Sequence, residues 1–178
     1  LSRHKASFVN KSRAMQPSGR ERRARLALET LEVIRAGGYP AISTGQWIDL
    51  SDSITASRSG TVVYRNTIGD RSALHHTHAT TFDFDCDCSL MAASRLVDSG
   101  CSVAVLNFAS AKHPGGGWLK GAQAQEEELT RRSTLYAALT SDCASSMYAS
   151  SCAELKSRND GCYSSVLCYS PEVTIIRD

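Results

Sequence analysis

Gln125, Glu126 and Glu127 stand side by side, with a third carboxylate at Glu128. Such a group can grip sugar hydroxyls and hand a proton to a leaving oxygen, which is general acid–base chemistry. Seven residues separate Gln125 from a run of three glycines, Gly115, Gly116 and Gly117. Consecutive glycines let a backbone take positive φ and press against a ligand with no side chain in the way. Successive helical residues point ~100° apart, so Glu126 and Glu127 cannot flank one bond as the paired carboxylates of most glycosidases do. The spacing therefore predicts split roles: one carboxylate at the scissile bond, one on a nearby hydroxyl.

Position in the chain supports one crevice for these residues. Residues 101–108 are nearly continuously apolar, which reads as a strand buried on both faces and ending near Asn107. The glycines follow in a loop, and a helix is predicted over 124–140. Ligands of open α/β sheets sit outside the carboxyl ends of strands, where loop meets helix. Loop N–H groups and a helix start also favour an anionic ligand. Consecutive glutamates disfavour one another's ionisation, which suits an acid. Arg131 and Arg132 oppose this, and their spacing assigns them to Glu128, leaving Glu127 for the ligand. Acids first and bases last also make an ordinary helix; the attached glycines and strand tip the reading towards a ligand site. Asn107 reads equally as a turn cap, and Trp118 equally as a loop aromatic covering the core.

The segment Asn107-Phe108-Ala109, then Gly115 to Gly117, then Gln125-Glu126-Glu127 resembles the signature of the poly(ADP-ribose) glycohydrolases, most closely the microbial-type branch. The resemblance implies a three-layer α/β/α macrodomain-like sandwich with a mixed sheet. It implies hydrolysis of ribose–ribose bonds in poly(ADP-ribose), releasing ADP-ribose. Glu127 would be the general acid and then the base, Glu126 would hold ribose hydroxyls, and Gln125 and Asn107 would support that grip. It implies no metal or other cofactor. Its partners would be poly(ADP-ribose), ADP-ribose and poly-ADP-ribosylated proteins. A non-catalytic ADP-ribose reader is the alternative, favoured if the carboxylates pair with Arg131 and Arg132 and turn from the crevice. The likeness is loose outside 102–136, and Ser110 stands where animal relatives carry Asn. Family members have a further glycine-rich loop for the diphosphate; after Gly117 only Gly121 and Gly161 remain. The domain is therefore expected to be C-terminally incomplete.

Elsewhere, Ser18 and Glu21 form a capping-box pattern. A helix is predicted behind them through Ala24, Ala27, Leu28, Leu31 and Ile34, stopped by Gly37. Residues 45–50 and 77–84 read as strands, and the Ser/Thr-rich 51–61 as loop. Ser89 is expected to cap a helix carrying Ala92, Ala93, Leu96 and Val97, closed by Gly100. A helix over 145–156 and strands over 164–169 and 173–176 complete an α/β alternation. A basic arm, 1–17, thus precedes 18–178, which by the resemblance is the N-terminal and central part of a poly(ADP-ribose) glycohydrolase-type catalytic domain.

The net charge of +2 hides an asymmetry, since residues 1–25 hold eight Lys/Arg against Glu21 alone. That reads as a solvated tail and helix start more than a nucleic-acid surface, because only Phe8 interleaves it. No apolar run approaches the ~20 residues of a membrane helix. Seven cysteines without framework spacing read as reduced and intracellular, with Cys101 and Cys168 in the core. His75, His76 and His78 precede Cys86 and Cys88, but without a metal-site spacing.

Overall fold

Helix α1 (Gly19–Ala36) begins as its capping box requires. The Ser18 hydroxyl accepts the Glu21 N–H, and the Glu21 carboxylate accepts the Ser18 N–H. It ends on Gly37 at φ 71°, a left-handed cap that glycine adopts without a Cβ penalty. The computed structural model describes residues 17–65, 79–158 and 162–177. The chain continues through β1 (Gly38–Pro40), β2 (Trp47–Asp49), α2 (Ser51–Gly60), β3 (Val62–Tyr64) and α3 (Ser89–Asp98). A 3₁₀ turn (Trp118–Lys120), α4 (Gln125–Arg132), α5 (Leu135–Leu139), α6 (Asp142–Arg158) and β4 (Leu167–Tyr169) follow. The architecture is mixed α/β. Among the described residues the strands form two antiparallel ladders, β1 with β2 (Tyr39 opposite Ile48) and β3 with β4 (Val63 opposite Cys168).

The main core gathers Leu90 of α3, Leu129 of α4, Leu135 and Leu139 of α5, and Ala144, Met147 and Tyr148 of α6. A second cluster joins Leu50 and Ile54 of α2 to Ala137 of α5. These two clusters explain where the structure departs from the sequence reading. Residues 51–61 form a helix rather than a loop. Its hydroxyls bond back to helical carbonyls, as Thr61 does to Ser57, and Ile54 buries against α5. Packing of that face outweighs weak propensity. In α3 the residue before the helix, Cys88, is the N-cap, without a side-chain bond, so Ser89 does not cap. Leu90 and Ala93 are buried there, while Leu96 and Val97 stay exposed.

The predicted long helix over 124–140 is two. Ser133 is extended at φ −142°, ψ 175°, and bridges Ile175. Thr134 N–H donates to the Thr174 carbonyl and the Thr134 hydroxyl accepts the Thr174 N–H, both at 2.9 Å. A hydroxyl that bonds sideways, as that of Thr134 does, competes with helical continuation. The expected strand over 173–176 is this single bridge, and that over 164–169 narrows to β4. Residues 101–108 form no ladder with a described residue, and Val105, Leu106 and Phe108 are exposed, as is Cys101. The described part of 77–84 is likewise unladdered, with Phe82 and Phe84 exposed; Thr77 and His78 lie outside the described residues. Cys168 does pack on the main core.

Helix α1 is fastened to the loop ahead of α4. Arg20 Nε donates to the Lys120 carbonyl and Arg23 Nε to the Gly121 carbonyl, each at 2.9 Å. Buried Thr30 donates to the Arg131 carbonyl at 2.6 Å and accepts from Arg177. Gly121 sits at φ 72°, and a Cβ there would run into the Arg20 carbonyl. Gly121→Ala is expected to cost at least the ~1–2 kcal/mol of a left-handed non-glycine residue. That corresponds to about 2–8 °C of thermal midpoint in a chain of this size. An unchanged midpoint would show that this fastening carries no stability.

Candidate active site

The first turn of α4 turns its side chains back onto the loop that precedes it. Ala124 at the helix start offers no side-chain cap. The Gln125 amide accepts the Phe108 N–H at 2.9 Å and donates to the Leu106 carbonyl at 2.7 Å and the Ser89 hydroxyl at 3.3 Å. It acts as a one-residue substitute for a neighbouring strand. Glu126 is 4% exposed. One of its oxygens accepts the Ser110 N–H at 2.8 Å and the other the Gly115 N–H at 3.1 Å. Glu127 Oε1 accepts the Gly117 N–H at 2.9 Å. Its Oε2 has no hydrogen-bond partner among the described residues.

The glycines are required at these approaches. Gly115 (φ 72°) lies over Trp118 and Thr130, where a Cβ would come within 2.8 and 2.9 Å. Gly116 (φ 59°) passes so near the Glu127 carboxylate that a Cβ would collide with Oε1 and crowd Glu126 at 3.1 Å. At Gly117 a Cβ would meet that of Ala122 at 2.9 Å.

The arginines divide as the spacing predicts. Glu128 takes both, Arg131 at 3.0 Å and Arg132 at 3.4 Å. Buried Arg131 also donates to the Ala122 carbonyl at 2.7 Å, tying down the far end of the loop. Glu126 and Glu127 are left with backbone partners alone.

A cleft of ≈ 820 Å³ opens over this arrangement. The backbone of Gly116 and Gly117 and the side chains of Gln125, Glu126 and Glu127 border it, with Phe108, Trp118, Tyr136 and Tyr163 as aromatic walls. Trp118, left open by the sequence, is 1% exposed and lies 4.8 Å from the Tyr136 ring centroid. Gly115 and Asn107 do not line the cleft. Gly115 is buried, and the Asn107 side-chain oxygen is buried without a hydrogen-bond partner among the described residues. Tyr136, Tyr148 and Tyr163 went unnoticed in the sequence, since no motif marks them, and Ser89 was read only as a helix cap. The Ser110 N–H, held by Glu126, was legible only as a position next to the strand end.

Burial pushes the Glu126 carboxyl above its ordinary value of 4.5, and the Glu127 charge adds to this. The Ser110 and Gly115 N–H groups pull the other way and do not cancel it. Behind it, burial and then the Glu126 charge push the Tyr148 phenol up as well. Asp85 and Asp87, set beside the cysteines, hold Arg95 at 2.7 and 3.3 Å. Among the described residues no cluster of His, Cys, Asp and Glu could hold a metal; the three histidines 75, 76 and 78 lie outside them. No helix among the described residues is long and apolar enough to cross a membrane.

Known proteins resemble this chain in sequence and in fold. The family model for the microbial-type PARG catalytic domain matches residues 27–178. The structure is similar to poly(ADP-ribose) glycohydrolase from Thermomonospora curvata bound to the inhibitor ADP-HPD: 39% identity, TM-score 0.72, over 88% of this chain and 56% of that one. A further structure of the Thermomonospora curvata protein matches at 38% identity and TM-score 0.70, over 88% of this chain and 57% of that one. The enzyme from Deinococcus radiodurans in complex with ADP-ribose matches at 42% identity and TM-score 0.61, over 70% and 50%. The chain thus spans little more than half the length of these relatives. No curated protein matches it.

Glu126→Gln leaves one of two buried N–H donors without an acceptor, an expected loss of about 1–3 kcal/mol. The sign of its pH dependence follows from linkage. A carboxyl whose folded pKa is raised contributes stability below its unfolded pKa and loses it as pH climbs towards the folded one. The gap between parent and variant should therefore narrow from about pH 4.5 towards neutrality in denaturant unfolding. A gap that widens over that range would mean that Glu126 is stabilised as an anion.

Proposed function

This chain belongs to the microbial-type poly(ADP-ribose) glycohydrolase family, and from that premise we propose that it hydrolyses ribose–ribose bonds in poly(ADP-ribose), releasing ADP-ribose. The observation that carries the proposal is Glu127. It borders the cleft, is anchored by one oxygen to the Gly117 N–H, and keeps the other oxygen clear of any described residue. That second oxygen delivers the proton to the leaving glycosidic oxygen. The C–O bond breaks with its electrons going to that oxygen, leaving an oxocarbenium-like ribose. Water then adds, and Glu127, now a carboxylate, takes its proton and is restored.

Glu126 has a different part. Each oxygen has given one lone pair to the loop, and those that remain accept ribose hydroxyls at the cleft border. Gln125 supports the ligand by fixing 106–108 beneath it. Asn107 contributes its buried side-chain oxygen to the same support, and Gly116 and Gly117 give the close backbone approach, with Gly115 buried next to them. No metal or cofactor enters these steps. The pairing of Arg131 and Arg132 with Glu128 speaks against the reader alternative, which needs them on the cleft carboxylates.

The rest of the reading follows the family. Residues 18–178 contribute to the catalytic domain, with 1–17 a basic arm before it, and its elements join a three-layer macrodomain-like sandwich. Poly-ADP-ribosylated proteins are the carriers of the substrate, in an intracellular setting.

Glu127→Gln keeps the anchor to Gly117 and removes the proton, so ADP-ribose release should fall by about 10²–10⁴-fold with polymer binding retained. Release at the parent rate would refute the assignment. Gly116→Ala, which displaces the Glu127 carboxylate, should lose about 10²-fold, the scale of a misplaced reacting group. A smaller loss than for a surface Gly→Ala control would show that the close approach does not position Glu127.

A further inference from the structure

We propose that the first turns of α1 and the 3₁₀ turn beside the cleft form an extended binding surface for the polyanionic chain of poly(ADP-ribose) outside the cleft. This rests on the poly(ADP-ribose) reading above. Each ADP-ribose unit carries a pyrophosphate, so a unit held over Glu127 has neighbours whose charges leave across the cleft's lip.

Lys120 lines that lip. Its carbonyl is held by Arg20 at 2.9 Å, and the next carbonyl, of Gly121, is held by Arg23 at 2.9 Å. The start of α1 is thereby tied to the turn that carries Lys120, and Arg22 is exposed on that same first stretch of helix. Arg20 and Arg23 spend their Nε groups on neutral carbonyls, and neither pairs with a carboxylate among the described residues. Arg22 and Lys120 have no hydrogen bond or ion pair from their side chains to any described residue. The nearby acid in sequence, Glu21, is occupied by the Ser18 N–H at 2.7 Å. Four cations thus face one carboxylate. By contrast Arg25, Arg95, Arg131, Arg132 and Arg177 each face a carboxylate.

The placement separates this surface from a nucleic-acid site. No aromatic residue lies among the exposed side chains of the first two turns of α1, so bases have nothing to stack on. Phosphate charge is what the surface reads. Binding to it releases counterions and must weaken with salt. It also explains the basic bias of the region at residues 20–25, which the chemistry at Glu127 leaves unused.

The test uses the full chain carrying Glu127→Gln, so that polymer is not consumed, with and without Arg22→Glu and Lys120→Glu together. Arg35→Glu with Arg58→Glu makes the same net-charge change on exposed residues away from the lip. Affinity is measured for long poly(ADP-ribose), for ADP-ribose itself and for a single-stranded DNA of equal charge, from about 50 to 200 mM salt. The lip variant should bind polymer about tenfold more weakly at the low-salt end, with a log–log salt slope shallower by about one for each phosphate no longer neutralised. Its affinity for ADP-ribose should move far less, and the control pair should leave polymer binding near the parent's. Equal losses from both variants, or an unmoved polymer affinity, would overturn the proposal. So would DNA that binds as tightly as the polymer and is weakened equally. Absent hydrolysis by the parent would strike the enzyme reading instead, because every arm here is a binding measurement.

Discussion

The site rests on a carboxylate placed where an anion is costly. Glu126 is almost wholly buried, and both its oxygens are spent on backbone N–H groups, of Ser110 and Gly115. A loop that no described strand flanks would otherwise bury those donors unpaired, at a cost comparable to that of a missing hydrogen bond. Charge-assisted bonds are roughly twice as strong as neutral ones, which is what a single side chain needs to fix two turns of glycine-rich backbone. The raised pKa of Glu126 records the remaining cost: burial outweighs the hydrogen bonds. Everything else at the cleft inherits its position from this contact, because Gly116 and Gly117, which hold Glu127, follow Gly115 directly.

A helix of eight residues cannot supply that contact unaided, being too short to persist in water on its own propensity. The fold holds α4 at both ends. Leu129 anchors it in the main core, and Thr30 of α1 bonds the Arg131 carbonyl. Beyond it, Ser133 and Thr134 leave helical geometry to pair with 174–175, and the Arg132 carbonyl takes the Ile176 N–H at 2.8 Å. The break in the helix is thus a fixing point. A continuous helix over 124–140 would have no extended residue to clamp, and its first turn could rotate about the loop.

What the sequence made legible follows from how local each signal is. The capping box of Ser18 and Glu21, the stop at Gly37, and the assignment of Arg131 and Arg132 to Glu128 depend on residues within four positions, and all three stand in the structure. Gly116, Gly117 and the carboxylates meet at one cleft because a loop and the helix start that follows it are neighbours by chain connectivity. Residues 101–108 failed as a buried strand because a strand is defined by its partner, and the apolar pattern says nothing of where one lies. The Gln125 side chain supplies the only ladder-like bonds described there. Helix α2 failed for the opposite reason: Ser-rich composition hid a face that becomes helical on meeting Ala137.

One backbone geometry gives the two adjacent glutamates different surroundings. Their ~100° offset on α4 sends Glu126 inward, under Ser110 and Gly115, and leaves Glu127 at the cleft with one oxygen tethered. A proton donor must have an oxygen clear of the protein, and of the two only Glu127 has it among the described residues. A hydroxyl acceptor needs rigidity rather than freedom, and Glu126 has two backbone bonds to provide it. Exchanging the roles would require Glu126 to release the loop that positions Glu127. The division of labour proposed for the pair draws on the same contacts that build the cleft.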